Sequence, residues 1–104
     1  MNFKCVALEI WNPTMHFASS LSKDQLTQYN YQRLIKLLEQ CDFFSLPMEV
    51  ESEDGNDFHY RLIAETEFRR SAIHFEGKPK ASNLKDLLSL YQDIWARQSP
   101  FYQR

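Results

Sequence analysis

The hydrophobic period of the chain changes twice from two to about 3.6 residues, and this feature constrains the fold more than any other. Residues 3–21 alternate apolar and polar positions, as strands with one buried face do. Residues 26–41 then repeat apolar positions at helical spacing. The same change recurs between residues 58–75 and residues 84–95. The sequence therefore predicts two hairpin–helix halves in the order β-β-α-β-β-α.

The turn of the first hairpin is predicted at Asn12 and Pro13, because proline fixes its own φ and keeps the preceding residue out of helical geometry. Ser22 and Gln25 have the spacing of a capping box, so we expect the first helix to begin near Ser22. Pro47, which has no backbone N–H, ends the segment that follows this helix. The apolar positions of the helix are Leu26, Tyr31, Leu34, Ile35, Leu38 and Cys41.

In the second half, alternation predicts one buried and one exposed face for each strand. The predicted buried positions of the two strands are Phe58, Tyr60, Leu62, Ala64, Ser71, Ile73 and Phe75. The predicted buried positions of the second helix are Leu84, Leu87, Leu88, Tyr91, Ile94 and Trp95. Burial of all these faces favours one α+β domain over residues 1–104, a two-layer β-β-α-β-β-α fold. In it, a four-stranded antiparallel sheet has both helices packed on one face and leaves its other face in solvent.

Composition argues against several classes of function. Twelve Lys and Arg against 14 Asp and Glu give a net charge of −2, so no basic surplus attracts nucleic acid or an anionic membrane. No apolar run is long enough to span a bilayer. Cys5 and Cys41 lack the spacing of a zinc or redox motif, and we expect two free thiols in a cytoplasmic protein, although a disulfide remains geometrically open.

The sequence contains no residue pattern typical of an enzyme or of a cofactor site. Neither Gly55 nor Gly77 lies in the kind of turn that a nucleophile or a bound phosphate requires. His16, His59 and His74 fall on exposed strand positions and could bind zinc if they met, but no cysteine accompanies them. We expect them to face solvent without a shared role, and we predict a non-enzymatic protein without metal or cofactor.

Five carboxylates surround Gly55 and Asn56 between the first helix and the third strand: Glu49, Glu51, Glu53, Asp54 and Asp57. This composition favours a solvated, mobile loop. Exposed carboxylates speed the encounter with a positively charged partner, so Glu51, Glu53 and Asp54 are predicted partner-binding residues. The alternative is that the loop serves only solubility.

Two segments resemble the emfourin family, small inhibitors of protealysin-like M4 metalloproteases. Residues 37–47 resemble that family's helix end and its Asp-Phe-Phe-x-Leu-Pro motif. Residues 57–62 are similar to its Asp-x-Phe-x-Tyr-x-Leu strand, with one residue fewer in the spacing. Ile73-His74-Phe75, Pro79, Leu84 and Leu87 resemble its closing strand and helix. The family's Arg-Ser-Gly-Gly connection between the first two strands is replaced here by residues 10–15.

The resemblance implies a non-enzymatic protein that binds an M4-type metalloprotease and blocks its active-site cleft with loops held on a rigid sheet. The alternative is a regulatory or interaction protein of the same fold with a different partner. Aromatic residues are enriched at binding hot spots, so Trp11 is a predicted partner-binding residue, with Trp95 and Phe101-Tyr102 as further candidates. The resemblance carries over no inhibitory residue.

Overall fold

The computed structural model describes residues 1–53 and 57–98, and this part of the chain has the predicted element order. Its strands and α-helices are β1 (Cys5–Asn12), β2 (Met15–Ser22), α1 (Gln28–Gln40), β3 (His59–Glu65), β4 (Arg70–Glu76) and α2 (Ser82–Gln98). The four strands form one antiparallel sheet in the order β2-β1-β3-β4. The predicted fold class, a two-layer α+β domain, is confirmed.

The first strand lies inside the sheet because it pairs with its own hairpin partner on one side and with a strand of the second hairpin on the other. β1 pairs with β2, where Cys5 is opposite Ser22, and also with β3, where Cys5 is opposite Glu65. β2 and β4 are consequently the two edges of the sheet. This register also sets which side chains share a face, since alternate residues of paired strands point the same way.

One hydrophobic cluster joins both helices to the inner face of the sheet. Most of the predicted inward residues of the strands and helices are buried, and Leu34, Leu87 and Ile94 are at most 2% exposed. The predicted positions that are only half-buried are Leu26, Phe58, Tyr60, Ser71 and Trp95. Phe3, Phe43 and Leu90 add apolar area that periodicity alone did not assign. None of the described helices is long and apolar enough to cross a membrane.

The predicted start of the first α-helix is wrong. The Ser22 N–H does donate to Gln25 Oε1 at 2.9 Å, but this contact closes only a short 3-10 turn. The backbone of Leu26 is extended, which ends that turn. α1 begins at Gln28, where the Thr27 hydroxyl accepts from the Asn30 N–H at 3.1 Å. A second cap, one that the local pattern did not single out, therefore starts the helix.

The predicted solvated loop after Pro47 is also partly wrong. The carboxylates of this segment are exposed as expected, but residues 48–53 run along the β4 edge and are hydrogen-bonded to it. His74 donates its N–H to the Met48 carbonyl at 2.7 Å and accepts from the Val50 N–H at 3.1 Å. The Ser52 hydroxyl accepts from the Glu76 N–H at 3.0 Å. Open backbone groups of the edge strand β4 explain this attachment, because edge groups need partners.

Candidate protein-binding face

The face of the sheet opposite the helices carries a row of aromatic and charged side chains. Val6 and Leu8 of β1 point into the core, so Glu9 and Trp11 are placed by alternation on the outer face. The register puts Trp11 opposite His59, and Glu9 opposite Arg61, which is in turn opposite His74. Residues from three strands therefore meet on one patch of the outer face.

The indole of Trp11 stacks with both histidines of this patch. Its ring centroid lies 5.4 Å from that of His59 and 5.6 Å from that of His74, with interplanar angles of 12° and 25°. The two imidazoles stack on each other at 5.2 Å, and the Arg61 guanidinium lies 5.1 Å from the Trp11 ring centroid. We call Trp11, His59, Arg61 and His74, together with Glu49, the Trp11 cluster.

A chain of hydrogen bonds orients the two imidazoles. Glu49 Oε2 lies 2.6 Å from His74 Nδ1, and His74 Nε2 lies 3.0 Å from His59 Nδ1. An ionised carboxylate only accepts, so the proton on His74 Nδ1 points to Glu49. Between the two imidazoles, either ring nitrogen can be the donor, depending on the tautomer. The attachment of residues 48–53 to β4 is what brings Glu49 to this position.

The prediction that all three histidines face solvent is only partly correct, because two of them contact each other and are partly covered. His59 and His74 do lie on the outer face, but their side chains are only 35% and 20% exposed because Trp11 and each other cover them. His16 stays exposed and contacts Glu9, with Nε2 3.3 Å from the carboxylate. His59 and His74 are close because of the register between β3 and β4, which the sequence pattern does not show.

Carboxylates lie beside the guanidinium and the imidazoles of this face. Glu9 Oε1 lies 3.2 Å from Arg61 Nη1, and this contact holds the guanidinium beside the Trp11 ring. His59 Nδ1 lies 3.8 Å from Glu76. Exposed pairs of this kind add little to stability, so their effect here is on the orientation of side chains.

A shallow groove of about 500 Å³ runs beside the Trp11 cluster and has Met48 and Arg70 in its lining. Its lining contains no serine, threonine or cysteine among the described residues, so it offers no hydroxyl or thiol nucleophile next to the imidazoles. Within residues 1–53 and 57–98, no group of three or more His, Cys, Asp or Glu side chains could hold a metal ion.

The predicted site residues separate in the structure. Trp11 lies on the outer face near the turn end of β1, whereas Glu51 lies 3.8 Å from Lys80 and Glu53 contacts Lys85. The Lys85 ammonium, which donates a hydrogen bond to Glu53, holds the pKa of that carboxyl below its ordinary value. These lysines compensate part of the charge predicted to attract a partner. Asp54 lies outside the described residues.

Trp95, another aromatic candidate, lies in the helix layer and not on this face. Trp95 is partly buried against the core on α2 and packs edge-to-face on Phe17 with 5.4 Å between ring centroids. Phe101-Tyr102 lies outside the described residues. Of the Trp11 cluster, only Trp11 was predicted as a partner-binding residue. Arg61, His59 and His74 were missed because strand register brings them to Trp11, and Glu49 because its place depends on the pairing of residues 48–53 with β4.

Both cysteines are free thiols, and neither is part of the Trp11 cluster. Burial raises the pKa of the Cys41 thiol to about 11, and its Sγ–H donates to the Leu37 carbonyl at 2.8 Å. Burial also raises the pKa of the Cys5 thiol, with Glu65 adding to the effect. Raised pKa values are typical of structural thiols and not of reactive ones.

Comparison of the chain with protein-family models, with curated proteins and with solved structures finds no match.

Proposed function

We propose that this chain is a non-enzymatic protein-binding module of the emfourin type, whose partner is an M4-type metalloprotease and whose contact surface is the outer face around Trp11. The observation that carries the proposal is the Trp11 cluster. Tryptophan, tyrosine and arginine dominate binding hot spots, and here an indole and a guanidinium lie 5.1 Å apart on one face. Met48, which is exposed, extends this surface along the groove.

Rigidity supports this assignment. Trp11 and Arg61 belong to β1 and β3, the two inner strands of the sheet, and their backbones are paired on both sides. Stacking and the Glu49–His74–His59 chain also restrict the side chains before any partner arrives. A surface ordered in advance loses less conformational entropy on binding. Such a face could cover a protease cleft without a large rearrangement.

Charge supports a protein partner over nucleic acid. The chain has a net charge of −2, and the carboxylates of Glu9, Glu49 and Glu76 surround the Trp11 cluster. These carboxylates would repel the phosphate groups of a nucleic acid. The proposal also places the protein in the cytoplasm, because free Cys5 and Cys41 thiols suit a reducing compartment.

A second candidate is a module of the same fold that binds a different protein. It is favoured by the connection between β1 and β2, where the family has a glycine-rich segment and this chain has a closed two-residue turn. Asn12 Oδ1 accepts from the Thr14 N–H and the Met15 N–H, both at 2.9 Å. This turn is compact and holds Trp11 next to it, so the contact surface differs from one built on a glycine-rich loop.

The test is inhibition of purified M4-type metalloproteases by the chain, measured as loss of peptide hydrolysis during titration. We expect inhibition by the wild type and at least about a tenfold weaker effect for Trp11→Ala. Tyr29→Ala is the matched control, since Tyr29 is an exposed aromatic residue on α1, in the other layer. Thermal melting of each variant verifies folding.

Each outcome separates the candidates. Inhibition that is equal for the wild type and Trp11→Ala would show that the outer face is not the contact surface. A complete lack of inhibition across a panel of such proteases would reject the protease as partner and favour the second candidate.

A further inference from the structure

The two edges of the sheet differ in how their backbone groups are satisfied. On β4, residues 48–53 cover the stretch from His74 to Glu76 with backbone and side-chain hydrogen bonds. On β2, no other described segment pairs with the outer side of the strand. β2 is thus an eight-residue edge strand whose outer side has no backbone partner within residues 1–53 and 57–98.

The register identifies which groups of β2 are open. The Lys23 N–H donates to the Lys4 carbonyl at 2.9 Å, just beyond the pair Cys5–Ser22. In an antiparallel ladder, hydrogen-bonded pairs alternate with non-hydrogen-bonded ones, so residues 21, 19, 17 and 15 direct their backbone groups to β1. The N–H and C=O groups of His16, Ala18 and Ser20 therefore point away from the sheet.

The side chains of β2 lack the features that block edge pairing. Natural edges are protected by lysine, proline, bulges or inward-pointing charges. Residues 15–22 contain no Asp, Glu, Lys, Arg or Pro, and Met15 and Phe17 are 41% and 39% exposed. An uncharged edge with exposed apolar side chains favours the addition of another strand.

We propose that β2 is a self-association edge, and that it pairs antiparallel with β2 of a second copy of this chain about a two-fold axis at Ala18. The pairing sets Ala18 opposite Ala18 of the second copy, and His16 opposite Ser20 of the second copy. Each of these pairs joins two outward-directed residues, so all can exchange two hydrogen bonds. No two like charges meet, and the residue at the axis is small.

This pairing forms a closed dimer of two copies of the chain. A two-fold axis perpendicular to the sheet keeps the helices of both copies on one side, so the two layers continue into an eight-stranded sheet. Phe17 then lies opposite Ser19 of the second copy, on the same side as α2. An open filament would need the β4 edge too, but residues 48–53 cover half of it. Self-pairing of one edge closes after two copies.

The experiment measures mass as a function of concentration, by sedimentation equilibrium, for the wild type and three variants. Ala18→Pro removes an outward N–H, which an edge strand tolerates, and leaves the β1 ladder intact. Ala18→Lys sets two like charges opposite each other at the axis. Ser89→Lys is the control, with the same substituted side chain at an exposed position of α2.

We expect the wild type and Ser89→Lys to form dimers in a concentration-dependent way. Both Ala18 variants should require at least tenfold higher concentration to dimerise, while their circular dichroism spectra stay those of the folded chain. Because Ala18→Lys keeps every backbone donor, it decides the question if Ala18→Pro fails to fold. A wild type that stays monomeric at millimolar concentration, dimers that persist in Ala18→Lys, or assemblies that grow beyond two copies would each overturn the proposal.

Discussion

The hydroxyl of Tyr31 on α1 connects the start of the chain to the helix layer and makes a sharp test of the packing. It accepts from the Phe3 N–H at 3.0 Å and donates to the Phe3 carbonyl at 3.1 Å. Tyr31 is only 4% exposed and Phe3 only 1%, so water does not replace these contacts easily. The two rings also pack, with 4.5 Å between centroids.

Tyr31→Phe keeps the ring and removes only the hydroxyl. Two buried backbone groups of Phe3 then lose their partner, and each unsatisfied group costs about 1–3 kcal/mol. The two costs sum to about 2–6 kcal/mol in the free energy of unfolding, and we expect a loss in the lower part of this range, about 2–4 kcal/mol, because the variant no longer has a hydroxyl to desolvate. This is a large part of the roughly 5–15 kcal/mol typical of a domain. The loss corresponds to a fall in Tm on the order of 10–20 °C for a chain of this length.

The assay is urea unfolding followed by circular dichroism, with Tm from a thermal scan. Tyr29→Phe is the matched control, because Tyr29 lies on the same helix but is 71% exposed, so its hydroxyl should matter by less than about 0.5 kcal/mol. If Tyr31→Phe unfolds within about 0.5 kcal/mol of the wild type, the hydroxyl does not hold Phe3 as argued.

Three further predictions test the core, a thiol and a surface contact. Ile94→Asp buries a carboxylate in the helix–sheet interface and should cost several kcal/mol, on the order of the whole stability; cooperative melting near the wild-type temperature would show that this face of α2 is not buried. The pKa of Cys41 is raised to about 11, so its reaction with a thiol reagent at pH 8 should be slow in the folded chain and quicken as pH rises toward 11. The reaction should become fast in urea, and equal rates with and without urea would contradict this. In a pH series of NMR spectra, the Glu53 carboxyl should titrate below its ordinary pKa, and in Lys85→Gln its pKa should return toward the ordinary value. The ion pair is therefore present above the lowered pKa and lost as pH falls through that pKa. An unchanged titration midpoint in the variant would rule out the contact.

The hairpin–helix order could be predicted from the sequence because periodicity is a local property. Alternation over a few residues is enough to direct Val6 and Leu8 to one face, and helical spacing is enough to select Leu87 and Ile94. Short segments of the sequence are therefore enough to predict most core residues, and the structure adds a few more, such as Phe3 and Leu90.

Two capping motifs lie close together before the first α-helix, and tertiary packing decides which of them starts the helix. Ser22 and Gln25 do interact, but the helix begins after Thr27, where the chain has turned from the sheet edge toward the inner face. A capping motif states where a helix can begin, whereas packing against the core decides which motif is used.

The candidate site depends on pairings between distant residues, and for that reason only the tertiary structure decided it. Trp11 and His59 are neighbours because β1 lies between β2 and β3, and Glu49 joins them because the segment after Pro47 pairs with β4. Strand order and register follow from how both helices cover one sheet, a condition that no short stretch of sequence contains. The sequence by itself determined most of the buried positions of the strands and helices, and the fold determined which residues of the outer face lie together.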